Sequence, residues 1–193
     1  MNTSNSPSNN AAALPVGITA SGGALDASDQ TDCYWIQQAL ELAKAAGEAG
    51  EVPVGAIVVD GQNRCLARGA NRRERDHDPT AHAEIVALRR AGAARQNWYL
   101  DDCSLYVTLE PCPMCAGSLL QARLRSVIYG TPDPKAGAVQ TVIKIPQGPA
   151  ALHKLQVRSG VLQDQCRDLL QTWFRDRRQS RKQSKSIPKP HPI

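Results

Sequence analysis

Hydrophobic positions along the chain change their period several times, and each change marks an element. From Thr31 onward, Ile36, Leu40 and Ala43 fall on one helical face, and Gly47 offers a stop. "EVPVGAIVVD" then predicts a strand, "DGQN" a hairpin turn and "RCLARGA" the return strand. "DPTAHAEIVALRR" predicts a helix, with Asp78 as candidate cap and Pro79 in its first turn. "CSLYVTLE" predicts a third strand, "PCPMCAGSLLQARL" a second helix of this kind, and "SVIYG" a fourth strand. Residues 131–151 are rich in Pro and Gly and carry no clear period. "LQVRSGVL" follows as a fifth strand, and "DQCRDLLQTWFRDRR" as a last amphipathic helix. Strands alternating with helices predict an α/β sandwich around one sheet, and no internal repeat is visible.

Composition narrows the class. A chain of 193 residues, 41% hydrophobic and 21% charged, is about one globular domain with tails. No apolar run reaches the roughly 18 residues of a membrane span. Residues 1–30 are Ser-, Asn-, Ala- and Gly-rich without a period and are expected to be a disordered leader. No Lys or Arg precedes Lys44, so neither a secretory signal nor an Arg-rich transit segment is indicated, and a cytoplasmic protein is expected. In that compartment a close cysteine pair binds metal or does chemistry more often than it forms a disulfide.

Charge is unevenly spread. Residues 175–193 hold seven Lys or Arg against one acid, Asp176; that +6, set against +5 for the whole chain, leaves −1 for the preceding 174 residues. A basic segment of this kind attracts phosphate backbones, or it only keeps the chain in solution. Residues 179–193 are expected to be a basic disordered tail.

Candidate chemistry gathers at two places. Cys112 and Cys115 share one face of a helical turn, so both sulfurs can reach one ion. A helix N-terminus lowers thiol pKa and favours the thiolate, yet a redox C-x-x-C also sits at a strand-to-helix junction. "TAHAE", thirty residues upstream, opens another helix and supplies His82 as a third ligand, with Glu84 beside it. Three protein ligands leave a fourth position open, which is the arrangement of a hydrolytic zinc site. Zinc brings the pKa of water toward neutrality, and an adjacent carboxylate can move protons. Singly, Glu84 reads as a helix-capping acid and His82 as a core histidine. Cys33, Cys65, Cys103 and Cys166 are scattered and are expected to be small buried hydrophobes.

"HAE" followed by "PCPMC" is the known H-x-E…P-C-x-x-C signature of the zinc nucleobase deaminases. The wider strings "GANRRERDHDPTAHAEIVALRRAG" and "LYVTLEPCPMCAGSLLQARLRSVIYG" resemble the bacterial tRNA-specific adenosine deaminases, from about Asp32 to Arg178. The resemblance implies a cytidine-deaminase-like three-layer α/β/α sandwich with a central five-stranded mixed sheet. It implies a deaminase domain over 31–178, one Zn2+ per subunit, a homodimer and a tRNA anticodon stem-loop as partner. It assigns zinc to His82, Cys112 and Cys115 and the proton shuttle to Glu84. Asn71 would hydrogen-bond the flipped base; its alternative is a turn residue. Ala83 and Cys112 would meet the purine through their backbones, and Val54 would line the pocket. Asp133, His153, Phe174, Arg177 and Arg178, with Trp173, would lie near the RNA. Pro132, Gln140, Thr141 and Leu152 depart from the family pattern.

The implied reaction is hydrolysis of the wobble adenosine to inosine. Guanine deaminases share "HAE" and "PCPMC" but act on a free base. A zinc-bearing RNA-binding module without catalysis and a thiol oxidoreductase using Cys112 and Cys115 are rivals of other classes.

Overall fold

The computed structural model describes residues 26–186. Of the leader expected over 1–30, residues 1–25 lie outside them, as do the last residues, 187–193; residues 27–30 belong to a helix. In chain order the elements are α1 (Ala27–Glu48), β1 (Gly55–Val59), β2 (Cys65–Ala70), α2 (Arg73–Asp76), α3 (Ala83–Arg95) and β3 (Ser104–Leu109). They continue with α4 (Pro113–Gln121), β4 (Ser126–Thr131), a 3-10 turn (Ile145–Gln147), β5 (Gln156–Ser159) and α5 (Gln163–Ser186).

The strands form one sheet in the order β2-β1-β3-β4-β5. β1 pairs antiparallel with β2 and β3, while β3, β4 and β5 run parallel, so the sheet is mixed. Period-2 alternation explains why its central strands read as continuous apolar runs. Ala56, Val58, Leu105, Val107, Val127 and Tyr129 face one core with Ala83, Ala87 and Leu119 of α3 and α4. Ile57, Val59, Tyr106 and Ile128 face the other, with Trp35, Ile36 and Leu40 of α1 and Cys166 of α5. The layers are therefore helix, sheet and helix, as expected. Gly69 lets α3 approach β2 closely, since a Cβ there would lie 2.2 Å from the Ala83 carbonyl oxygen.

Four boundaries differ from the sequence reading. α1 starts at Ala27 rather than Thr31, because Asp26 caps it by accepting from the Asp29 N–H at 2.8 Å. It ends past Gly47: Gly50, with φ of +89°, supplies the left-handed turn. Asp78 does not cap α3. Its carboxylate accepts from the Thr80 N–H and hydroxyl, each at 2.7 Å, and that local turn delays the helix to Ala83. Finally, α5 continues through residues 179–186, which were expected to be disordered. Among the expected small buried cysteines, Cys103 and Cys166 are buried and Cys33 and Cys65 only partly so.

Candidate active site

Parallel pairing brings the carboxyl ends of β3 and β4 together, where α/β sheets generally bind their ligands. The chain leaves β3 through Glu110 and Pro111 and enters α4 with Cys112 as N-cap residue. His82 is the N-cap residue of α3. Both have extended backbones, and neither side chain caps its own helix. The two side chains meet each other instead.

His82 Nδ1 lies 3.6 Å from Cys112 Sγ and 3.5 Å from Cys115 Sγ. The three ligand atoms are all within 4.8 Å of one another. A tetrahedral ion bound at ordinary Zn–N and Zn–S lengths demands an N···S separation of about 3.6 Å. The donors thus stand at the spacing that zinc would impose. Two helix N-termini converge here, and their partial positive charge favours thiolates. Hydrogen bonds from the Cys115 thiol and then from His82 bring the Cys112 thiol down to about 4. The Cys115 thiol is pushed far up, first by its hydrogen bond to Cys112 and then by burial. His82 is raised, first by its hydrogen bond to Cys112, with burial opposing that rise.

Glu84 sits in the first turn of α3, buried at 4% exposure. Burial raises its pKa, against opposition from its own backbone N–H and the His82 charge, and its carboxylate interacts with Cys115. A carboxyl held toward neutrality beside residues that could hold a metal suits proton transfer. Its first-turn position also fits a capping acid, but its burial against the two ligands is what a capping acid does not need.

Asn71 follows β2 and is buried at 7% exposure, its N–H donating to the Val54 carbonyl at 3.1 Å. It opens onto a cleft shared with Trp173, Phe174, Arg177 and Arg178. The turn reading and the cleft reading of Asn71 therefore coexist. Val54 and Ala83 are buried, Ala83 as the first residue of α3. Trp173 donates Nε1–H to the Gly47 carbonyl at 3.1 Å, and Arg177 lies 5.5 Å over its ring. Phe174 is 40% exposed.

Asp133 and His153 do not line that cleft. The Asp133 carboxylate accepts from the N–H groups of Lys135 at 2.9 Å and Ala136 at 3.2 Å, folding its own loop. His153 Nε2 is 2.6 Å from the Leu124 carbonyl oxygen.

Two supporting carboxylates escaped the sequence reading. Glu110, at 2% exposure, accepts from the N–H groups of Asp133, Val139, Gln140 and Thr141 and from the Thr141 hydroxyl. It binds the loop after β4 to the turn that carries Cys112. Glu51 accepts from the N–H groups of Glu74 at 3.3 Å and Arg75 at 2.9 Å, fastening α2 beyond Asn71. An acid ending an apolar strand run was the one available signal for Glu110; Glu51 left none.

Comparison with known proteins agrees with this geometry. The MafB19-like deaminase family model matches residues 30–178. The tRNA-specific adenosine deaminase of Haemophilus influenzae is 42% identical over 154 residues, covering 80% of this chain and 89% of that protein. That of Bacillus subtilis is 40% identical over 152 residues, covering 78% and 93%. A solved tRNA:A34 deaminase, studied for A-to-I editing at the wobble position, superposes with a TM-score of 0.69 at 41% identity, covering 71% of this chain and 99% of that one. A guanine deaminase from Bacillus subtilis superposes less well, with a TM-score of 0.51 at 32% identity, covering 64% and 81%. By its His82, Glu84, Cys112 and Cys115 constellation, its sheet and these likenesses, the chain belongs to the tRNA-specific adenosine deaminases of the MafB19-like deaminase family.

Proposed function

We propose that this enzyme hydrolyses the wobble adenosine of a tRNA anticodon, of the tRNA-arginine type, to inosine and ammonia. The observation that carries the reading is the convergence of His82, Cys112 and Cys115 beside a buried Glu84. His82, Cys112 and Cys115 would hold one Zn2+, whose bond lengths their spacing fits. When bound, zinc supplies a Lewis acid that makes water a nucleophile near neutral pH.

The chain's own residues do the rest. Glu84 takes one proton of the attacking water and passes it to the ring nitrogen beside C6; it then takes the proton of the new C6 hydroxyl and gives it to the amine, which leaves as ammonia while the carbonyl forms. Asn71, held by Val54, hydrogen-bonds the flipped base, and the first turns of α3 and α4 present the Ala83 and Cys112 backbone toward it. Unstacking the base costs a few kcal/mol, which contacts outside the pocket must offset. Phe174, Arg177 and Arg178 serve there, and Asp133 and His153 would meet the RNA away from this cleft.

A homodimer is part of this reading. An open groove between α3 and α4, lined by Leu88, Trp98, Pro113 and Met114, offers a second copy an apolar seat, and Trp98 is 67% exposed. A tRNA substrate puts the work in the cytoplasm. Among the described residues no helix is long and apolar enough to cross a membrane. Guanine turnover, the rival activity, needs neither the arginines of α5 nor the cleft beside Asn71. Incubation with guanine and with an anticodon stem-loop, followed by assay of both products, separates the two.

A further inference from the structure

The one-turn helix α2 carries arginines in two different settings. Arg72 and Arg75 both pair with Asp76, at 2.8 and 3.2 Å. Arg73, between them, is exposed and has no carboxylate partner among the described residues. It lines the same cleft as Asn71, together with Phe174, Arg177, Arg178 and Arg181 of α5. Four guanidiniums border this cleft against two carboxylates, and one of those, Glu51, is committed to the N–H groups of Glu74 and Arg75. An unpaired guanidinium that shares a cleft with Asn71 and an arginine-bearing helix is fitted to one class of ligand, a phosphodiester oxygen.

We infer that Arg73 is a phosphate-contacting residue for the substrate RNA, closing from α2 a two-sided clamp whose other side is Arg177 and Arg178 of α5. The inference rests on the tRNA reading and deepens it. α2 begins two residues after Asn71, so a phosphate held by Arg73 belongs to the nucleotide whose base Asn71 receives or to its immediate neighbour. The clamp fixes the backbone while the base turns away from it. Arg177 is already held over the Trp173 ring, which reduces the ordering that RNA must impose.

The test uses the full zinc-loaded chain and a tRNA-arginine anticodon stem-loop with adenosine first in its anticodon. Binding is measured over about 50–200 mM salt for the parent, Arg73→Gln, Arg73→Lys and Arg75→Gln. Arg73→Gln should flatten the slope of log K against log salt by about 0.7, the value of one phosphate contact on a single strand. Arg73→Lys should restore that slope. Arg75→Gln removes the same charge from the same helix, away from the cleft, and should leave the slope at the parent value. An unchanged slope in Arg73→Gln, or equal flattening by Arg75→Gln, overturns the inference while leaving the deaminase reading intact. A parent protein that neither binds nor deaminates the stem-loop overturns the tRNA reading first, and this inference with it.

Discussion

At the candidate metal centre, His82, Glu84, Cys112 and Cys115 stand on the first residues of two helices whose following turns are packed in the core. At the cleft beside it, Arg73, Phe174, Arg177 and Arg178 are exposed on α2 and on the outer half of α5. The centre is built from two short segments: His82 and Glu84 lie within one helical turn, as do Cys112 and Cys115, and the contacts between the two segments join positions about thirty residues apart. The cleft is long-range, joining positions about a hundred residues apart. The centre must be dry and fixed to do chemistry, whereas the cleft must stay wet and charged to exchange counterions for phosphates. Substitutions in the two regions should therefore fail in different ways.

The largest effect is expected at the centre. Glu84→Gln keeps the shape and loses the proton carrier, so turnover should fall by about 10²–10⁴-fold. Zinc content and melting temperature should hold, as read by metal analysis and calorimetry. Turnover that survives would make Glu84 a capping acid.

Glu110 supports the centre from the loop after β4. Glu110→Ala strands four buried or half-buried N–H donors and a hydroxyl, costing about 3 kcal/mol, or roughly 6–12 °C of melting temperature in a chain of this size. A shift under about 2 °C would mean that water satisfies those donors and the loop is not tied to the Cys112 turn.

Removing the chain after Phe174 takes away Arg177, Arg178 and Arg181 while keeping Trp173 on Gly47. RNA binding should weaken, and the salt slope should flatten by about 0.7 for every phosphate released. Zinc should stay bound. Full-strength binding with the original slope would make the outer half of α5 a solubilising extension.

The smallest effect is expected far from both regions. Asp102 accepts from Arg95 and from the Gly61 N–H, and its carboxyl is held well below the usual range, first by the Arg95 hydrogen bonds. A depressed carboxylate contributes stability above the unfolded pKa of about 3.9 and loses it as pH falls toward its folded value. With the Asp102 side chain 44% exposed, solvent limits the contribution to below about 1 kcal/mol. Asp102→Asn should lower stability slightly at pH 7 and leave it unchanged near pH 1, as read by urea titration at each pH.

The same contrast explains what the sequence made legible. The central strands β1, β3 and β4 follow from their apolar runs, because both faces of the sheet are covered there. The convergence of His82, Cys112 and Cys115 was readable because the spacing of such donors is local and each opens a helix. Boundaries failed where side chains chose other partners. Asp78 turns back to Thr80 instead of capping α3, and Asp26 captures residues assigned to the leader. α5 runs past 178 because its arginines and lysines are good helix formers, a preference that the net charge of the tail concealed. Arg73 and Glu51 carry no local pattern at all. Their meaning depends on what α5 and the Asn71 segment bring near them.

The most direct test of the central claim is product analysis on RNA. The zinc-loaded full chain is incubated with an anticodon stem-loop whose first anticodon base is adenosine, with guanine offered in parallel. Nucleosides are then identified by mass. Conversion of that single adenosine to inosine, with other adenosines and guanine untouched, is the predicted result. An intact wobble adenosine, with guanine turned over to xanthine, would contradict it.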